Sequence, residues 1–253
     1  MTSTVAPRSG PKIGVLVPFT NVNLEPDMQL LCPAGCTMHF ERLGGYDAHA
    51  IPGAEQMAGL GASDLSESIR LISGIRPAAV LYGCTSATLT HGTEFDRDLA
   101  SNIKLESGGY GAEPLCITAA GALIEAIKSL QATRVGFASP YLGEINDSAI
   151  DFMKAEGITT VASADIGREL DNYGQGELTP DEVFDLAMRV NQPEVEVIVL
   201  SCTDMRSVEV IDRLEAATGK PVVTSNQAMI YSLCSRLGYS LSDRIACRLF
   251  EVT

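Results

Sequence analysis

The chain has 253 residues, of which 45% are hydrophobic and 20% are charged, so it can build a sizeable core and most of it cannot be disordered. Its 18 basic and 32 acidic residues give a formal net charge of −14, which disfavours nucleic acids and anionic membranes as partners. Its seven cysteines include no C-x-x-C pair and it has only three histidines, a pattern that indicates neither a disulfide framework nor a zinc site.

The N-terminal segment 1–11 (MTSTVAPRSGP) predicts a disordered tail, because it contains no apolar stretch typical of a signal peptide. No apolar run along the chain approaches the length of about 18 residues that a membrane-spanning helix needs. Cysteines that form no disulfide pattern fit a reducing compartment. We therefore expect a cytoplasmic protein.

Short apolar runs rich in β-branched residues alternate with stretches of helical periodicity. The predicted strands are Ile13–Val17, Ala78–Tyr82, Arg134–Ala138, Val195–Leu200 and Pro221–Thr224. The predicted helices cover residues 64–75, 119–131, 145–156, 180–191, 206–218 and 226–237. Continuous apolar strands alternating with amphipathic helices predict an α/β fold whose parallel sheets are covered on both faces.

The chain contains an internal repeat, in which three kinds of segment occur twice in the same order. The pairs are KIGVLVPF (12–19) with RVGFASPY (134–141), VLYGCT (80–85) with IVLSCT (198–203), and 114–130 with 221–237. We expect the third pair to carry the chain between two units, a first domain of 1–117 plus 221–253 and a second domain of 118–220. Parallel sheets bind ligands at the carboxyl ends of their strands, so the site is expected between the units.

Two cysteines, Cys84 and Cys202, occupy matching positions of this repeat. Each lies at the end of an apolar strand, and each is followed by Thr and a segment that can begin a helix. Because helix-start N–H groups favour a thiolate, we predict that both are catalytic. An ordinary cysteine is a small buried apolar residue, and we expect this of the other five. They are Cys32, Cys36, Cys116, Cys234 and Cys247.

Five segments carry a resemblance to a known group of enzymes. They are VPFTNVNLEPDM (17–28), LYGCTS (81–86), SPY (139–141), DN (171–172) and LSCT (200–203). On these segments the chain resembles the aspartate/glutamate racemase superfamily, and within it especially the maleate cis-trans isomerases and arylmalonate decarboxylases. The resemblance runs over residues 12–240. It implies two pseudosymmetric α/β units with parallel sheets and an active site in the cleft between them.

The resemblance also implies roles for single residues. Cys84 matches the nucleophile of the isomerases and Cys202 matches their second catalytic cysteine, while Asn21, Tyr141 and Asn172 match residues that hold the substrate carboxylates. Arylmalonate decarboxylases have glycine at the position of Cys84, so the presence of both thiols favours an isomerase or a racemase. The hydroxyl-rich loop after Cys84 is closer to racemases and decarboxylases.

Hydroxyl groups beside the two cysteines are further candidate ligands for the substrate. Thr85, Ser86 and Thr203 could donate hydrogen bonds to a carboxylate or to an enolate-like charge, although such residues also cap helices. The sequence contains neither G-x-G-x-x-G after a strand nor G-x-x-x-x-G-K-[ST], the glycine-rich motifs that bind nucleotides, so we expect no cofactor. We also expect no metal. The expected partners are a small carboxylate substrate and further copies of the chain in a homo-oligomer.

The leading hypothesis is a cofactor-independent isomerase of a small dicarboxylate. In this reading the Cys84 thiolate adds to the alkene, the resulting single bond rotates, and the thiolate is eliminated. The alternatives are an amino-acid or hydantoin racemase, an enzyme like arylmalonate decarboxylase, and a non-catalytic protein that binds small acids. Binding alone requires neither thiol, so the pair of cysteines favours the enzymes.

Overall fold

The computed structural model describes residues 10–45, 47–61, 64–241 and 245–252. The predicted N-terminal tail lies outside these ranges except for its last two residues. None of the helices within the described ranges combines the length and the apolar composition that crossing a membrane requires.

Within the described ranges, eight strands form two separate four-stranded sheets, and every strand pair there is parallel. The first sheet has the order β2-β1-β3-β4, with β1 (Lys12–Pro18), β2 (Thr37–Leu43), β3 (Ala79–Tyr82) and β4 (Leu115–Thr118). The second has the order β6-β5-β7-β8, with β5 (Arg134–Ala138), β6 (Thr159–Ala164), β7 (Val197–Leu200) and β8 (Val222–Thr224). The predicted α/β fold with two pseudosymmetric parallel sheets is confirmed.

Helices connect the strands in both halves of the chain. In the first half they are α1 (Leu24–Leu31), α2 (Ala54–Gly61), α3 (Ser66–Ser73), α4 (Thr85–Leu89), α5 (Gly92–Gly108) and α6 (Ala119–Ser129). In the second half they are α7 (Glu144–Ala155), α8 (Asn172–Gly176), α9 (Pro180–Met188), α10 (Ile211–Thr218), α11 (Ser225–Leu237) and α12 (Arg248–Glu251). A 3₁₀ turn at Val208–Val210 precedes α10.

The repeated glycines Gly14 and Gly136 have the same packing task in β1 and β5. A Cβ on Gly14 would lie 2.5 Å from Cγ1 of Ile72, and one on Gly136 would lie 2.6 Å from the carbonyl oxygen of Val190. Each glycine therefore lets the chain that precedes the third strand of its sheet pack directly against the first strand. This close approach explains why the two strand sequences share a glycine.

The helices after β4 and β8 join the two halves. Thr118 and Thr224 begin α6 and α11 by accepting a hydrogen bond from the third residue of each helix. The two helices pack against one another, and Glu125 of α6 accepts hydrogen bonds from Ser232 and Arg236 of α11. The division of the chain into domains at residues 118 and 221 stays a prediction.

The sequence patterns missed the second strand of each sheet and the long helix α5. The edge strands β2 and β6 are only partly buried, so they lack the continuous apolar run that marks the central strands. Only Leu99, Ile103 and Ser107 of α5 are buried, which leaves a weak helical periodicity. The helix predicted at 206–218 begins later, with the 3₁₀ turn and α10.

Candidate active site

The loops that leave the carboxyl ends of the strands in both sheets meet in one pocket between the two halves. All eight residues predicted for the site line it: Asn21, Cys84, Thr85, Ser86, Tyr141, Asn172, Cys202 and Thr203. The lining also includes residues that the sequence interpretation did not select: Pro18, Thr20, Met57, Leu60, Gln175 and Asp204. The structure thus brings the predicted residues together, while their roles in a reaction stay predictions.

The first cysteine corner is the segment Cys84–Ala87. Cys84 has an extended backbone (φ −129°, ψ 101°) and is the N-cap of α4, so its thiol lies against the start of that helix. The backbone N–H of Ala87 donates to the sulfur, and the Ser86 hydroxyl lies 3.8 Å from it. Both contacts lower the pKa of Cys84, but burial raises it by more, so the net direction is upward. The contact at the helix start acts in the predicted direction, but burial outweighs it.

The second cysteine corner is the segment Cys202–Asp204, and no helix begins there. The backbone N–H of Asp204 donates to the Cys202 sulfur, and the thiol itself donates to Oε1 of Gln175 at 3.5 Å. Burial raises the pKa of Cys202 to about 12, and the negative charge of Asp204 is the second cause. This thiol therefore holds its proton more firmly than an ordinary cysteine.

Tyr141 links the two corners. Its hydroxyl makes hydrogen bonds with the Cys202 thiol and with the hydroxyl of Ser86. The ring is buried, and burial together with the nearby thiols raises the pKa of the phenol well above its ordinary value. The phenol therefore stays neutral and can donate a hydrogen bond inside the pocket.

Asn21 and Asn172 both line the pocket, but their side-chain amides are already engaged. Nδ2 of Asn21 donates to Oγ1 of Thr203 at 3.0 Å, and that hydroxyl in turn donates to the carbonyl of Gly83 at 2.8 Å. Nδ2 of Asn172 donates to the backbone carbonyls of Asp47 and Ala50, which precede α2. To hold a carboxylate, either amide has to exchange these partners for the ligand.

The pocket is small and partly apolar. Its volume is about 30 Å³, room for about two water molecules by the usual measure. Met57 and Leu60 of α2 supply the apolar wall, and the Ser86 hydroxyl donates to the Met57 sulfur at 3.0 Å.

The charge distribution of the pocket is one-sided. Among its lining residues in the described ranges, Asp204 alone carries a formal charge, and none is Lys, Arg or His. Arg42, on β2, points at the loop behind the pocket, where it donates to the carbonyls of Pro18 and Asn21 and pairs with Glu25. In the same part of the chain, no group of three or more His, Cys, Asp or Glu side chains could hold a metal ion.

The sequence contained a usable signal for Asp204 but not for the apolar wall. Asp204 follows the matched C-T pair directly, where the first cysteine corner has Ser86, so comparison of the two repeats could have selected it. Met57 and Leu60 lie on a helix that the sequence patterns did not predict, and only the tertiary fold places them over the pocket.

The chain matches a protein-family model described as arylmalonate decarboxylase over residues 56–250. Among curated proteins it is 26% identical over 245 residues to the maleate isomerase of Nocardia farcinica, an alignment that covers 95% of each chain. The predicted resemblance to maleate isomerases and arylmalonate decarboxylases is confirmed by these matches.

Two solved structures share the fold over nearly the whole length. A variant of the maleate isomerase Iso from Pseudomonas putida S16, determined with maleate, superposes with a TM-score of 0.86 at 23% identity and covers 97% of this chain and 99% of its own. A mutant of the Nocardia farcinica maleate cis-trans isomerase, which carries a covalently bound succinylcysteine intermediate, gives a TM-score of 0.84 at 24% identity. That alignment covers 95% of this chain and 98% of the isomerase.

Proposed function

The chain belongs to the arylmalonate decarboxylase family, and we propose that it is a cofactor-independent isomerase that acts on a small cis-dicarboxylate of the maleate type. The observation that carries this proposal is the presence of two thiols, Cys84 and Cys202, in the wall of one pocket. The relative named maleate isomerase aligns over 95% of the chain, and a structural neighbour of that name holds a succinylcysteine. Both observations support the same chemistry here.

In the proposed reaction the Cys84 thiolate adds to one alkene carbon of the substrate. The electron pair of the double bond moves to the neighbouring carbon and its carboxyl group, and Cys202 delivers a proton to that carbon. The product of this half-reaction is a succinyl thioether on Cys84, in which the former double bond is single and can rotate. After rotation Cys202 removes a proton from the carbon that it protonated, the Cys84 thiolate leaves, and the trans isomer is released.

The two thiols together must hold one proton in the reactive state, because one acts as nucleophile and the other as acid. The groups around the two sulfurs indicate which thiol takes which role. Two hydrogen bonds lower the pKa of each thiol, but only Cys202 has a negative charge beside it, the Asp204 carboxylate, that raises its pKa. These contacts support Cys84 as the thiolate and Cys202 as the proton carrier.

Neutral donors surround the space in which the carboxylates would lie. Asn21 and Asn172 offer amides, and Tyr141 offers a neutral phenol beside both sulfurs. Thr85, Ser86 and Thr203 add hydroxyls from the two cysteine corners. Such donors fit a carboxylate, and they fit the enolate-like charge that develops during addition.

The family match favours one alternative, an enzyme like arylmalonate decarboxylase. One feature argues against it. By the family resemblance, the thiol of Cys84 stands where the decarboxylases have glycine.

The proposal is tested with maleate, aspartate, glutamate, a hydantoin and an arylmalonate, each incubated without added cofactor in deuterated buffer. We expect trans product from maleate, detected by NMR, and no turnover of the other compounds. Deuterium entering the α-carbon of an amino acid or a hydantoin would instead identify a racemase, and loss of carbon dioxide from the arylmalonate would identify a decarboxylase.

Self-association into a homo-oligomer is part of the proposal and is measured by light scattering.

A further inference from the structure

Asp204 is an unusual wall residue for a pocket that takes a dicarboxylate. It is buried in the lining next to Cys202, and no basic side chain lines the pocket in the part of the chain that the structure describes. Sites for dianions ordinarily supply cationic or strongly donating groups. Here the fixed charge has the same sign as the substrate.

The carboxylate of Asp204 is held firmly in place. Its Oδ1 accepts hydrogen bonds from the backbone N–H groups of Val22 and Asn23 and from the Asn23 side chain. Its Oδ2 lies against the end of α8, where a Cβ on Gly176 would come within 2.8 Å of it. The group therefore cannot swing away when a second anion enters.

The charged groups around Asp204 offset one another in part. Arg42 of β2 lowers the pKa of Asp204, but its guanidinium already pairs with Glu25. Asp27 of α1 interacts with Asp204 unfavourably, as does the neighbouring Cys202 if it ionises. With burial as the largest cause, the pKa of Asp204 is raised to about 6. Burial and the nearby negative charges also disfavour a further negative charge in the pocket.

We infer that Asp204 makes the pocket selective for a substrate that carries one negative charge, so that the group facing Asp204 is a protonated carboxyl or a carboxamide. Two carboxylates close together in a buried site do not both stay ionised, and they share one proton. The substrate class is then a cis-enoic acid with one carboxylate and one neutral hydrogen-bond donor. Hydrogen maleate and its half-amide, maleamate, belong to this class, and the maleate dianion does not.

This inference rests on the proposed function, and it adds a chemical reason for the selectivity. During thiolate addition the electron pair moves toward the group next to the attacked double bond. A protonated carboxyl or an amide accepts that charge more readily than an ionised carboxylate, which is already negative. A residue that enforces the neutral form therefore favours the addition step.

The test compares kcat/KM for maleate and for maleamate between about pH 6 and about pH 8. The ratio of the two substrates cancels the ionisation of the thiols, which affects both equally. In the unmodified protein we expect the ratio of maleamate to maleate to rise by about tenfold or more over this range, since the singly charged form of maleate becomes rarer. A ratio that stays constant with pH would overturn the inference.

The variant Asp204→Asn keeps an acceptor for the Val22 and Asn23 groups and removes the charge. In this variant we expect kcat/KM for maleate to rise about tenfold relative to that for maleamate near pH 8. The ratio of the two should no longer depend on pH. Asp27→Asn is the matched control, because it removes a buried carboxylate that does not line the pocket. Because Asp27 acts on the pocket only through Asp204, this variant should change the ratio much less than Asp204→Asn does, and an equal change in both variants would contradict a specific role for Asp204.

Binding of the saturated analogues succinate and succinamate, measured by calorimetry, separates this inference from the proposed function. If neither unsaturated acid is isomerised but succinamate binds about tenfold more tightly than succinate near pH 8, the isomerase proposal fails and the selectivity stands. If maleate is isomerised and the analogues bind equally well, the selectivity fails and the isomerase proposal stands. Binding of neither analogue counts against the selectivity.

Discussion

The two cysteine corners occupy equivalent places in the two sheets, yet the chain after each cysteine takes a different course. After Cys84 it enters α4 at once, so a backbone N–H and a serine hydroxyl lie beside the sulfur. After Cys202 it makes turns that place an aspartate in the wall, and a helical turn begins only at Val208. The equivalent topology positions both thiols in one pocket, while the local sequence decides which of them is better able to lose its proton.

This difference separates two things that a duplicated fold provides. The position of each thiol follows from the strand that ends before it, which is why both can be found from the repeat. Its chemical role depends on the next two residues, Thr85 and Ser86 in one corner and Thr203 and Asp204 in the other. The predictions below test whether the two roles are as unequal as these surroundings indicate.

The largest expected effect comes from removing the nucleophile. Cys84→Ala should lower kcat for maleate by about 10⁴-fold or more, since nothing else in the pocket replaces an attacking thiolate. No covalent adduct should form, which mass spectrometry of the peptide containing residue 84 detects. The substitution removes one buried sulfur, so the free energy of unfolding should change by about 1 kcal/mol or less. Full activity in a folded Cys84→Ala protein would remove this thiol from the mechanism.

Cys202→Ala should have a smaller and different effect. Loss of a proton carrier typically lowers a rate by about 10²- to 10⁴-fold. The Cys84 thiolate can still add to maleate, with water supplying the proton slowly, so the adduct should accumulate. We expect the peptide containing Cys84 to gain the mass of one substrate molecule. Absence of an adduct on the peptide containing Cys84, or turnover equal to that of the unmodified protein, would contradict the assignment of Cys202 as the acid.

These assignments show which parts of the site the sequence can supply. Asn21, Tyr141 and Asn172 were found through family resemblance, and the structure places them in the pocket. Their hydrogen bonds could not be foreseen, because the Asn172 amide bonds to the carbonyls of Asp47 and Ala50, which are more than a hundred residues away in the chain. Contacts of this kind depend on tertiary packing, and no local pattern encodes them.

The net direction of the Cys84 pKa shift could not be predicted for a related physical reason. The helix start at Cys84 is visible in the sequence, and its N–H group does lower the pKa. The opposing cause is the complete burial of the sulfur, which depends on how tightly α2 and the second half of the chain close over the pocket. The central strands were predictable from their apolar runs, whereas burial at the ends of those strands was not.

The pH dependence of alkylation sharpens the comparison of the two thiols. With iodoacetamide, modification of Cys84 should begin at a lower pH than modification of Cys202, because Asp204 raises the pKa of the second thiol. In Asp204→Asn the onset for Cys202 should move down by about one pH unit, with that of Cys84 nearly unchanged. Peptide mass spectrometry follows each residue, and Cys116 provides an internal reference outside the pocket. Identical onsets for both thiols would show that the corners do not differ in proton affinity.

Both cysteine corners pack against the buried start of α11. The hydrogen bonds that hold them there differ in chemistry. Thr85 donates to the Ser225 hydroxyl at 3.0 Å, which is a neutral contact. Behind the second corner, Nδ2 of Asn226 donates to the Thr203 carbonyl at 3.0 Å and to the Asp27 carboxylate at 2.7 Å. Burial raises the pKa of Asp27 to about 7, so this support is titratable near neutral pH.

The smallest expected effect on the chemistry, and a measurable one on stability, comes from Asp27→Asn. The folded state favours the protonated carboxyl, so its contribution to stability is complete below the unfolded pKa of about 4 and is lost as the pH rises through about 7. Asparagine cannot ionise and keeps an acceptor for Asn226. The free energy of unfolding of the variant relative to the unmodified protein should therefore increase by about 1–2 kcal/mol between about pH 5 and about pH 8, as measured by urea unfolding. Asp151→Asn, at an exposed position of α7, should show no such increase. If the difference in unfolding free energy between Asp27→Asn and the unmodified protein did not change with pH, Asp27 would have an ordinary pKa. Neither corner would then be supported by a group that titrates near neutral pH.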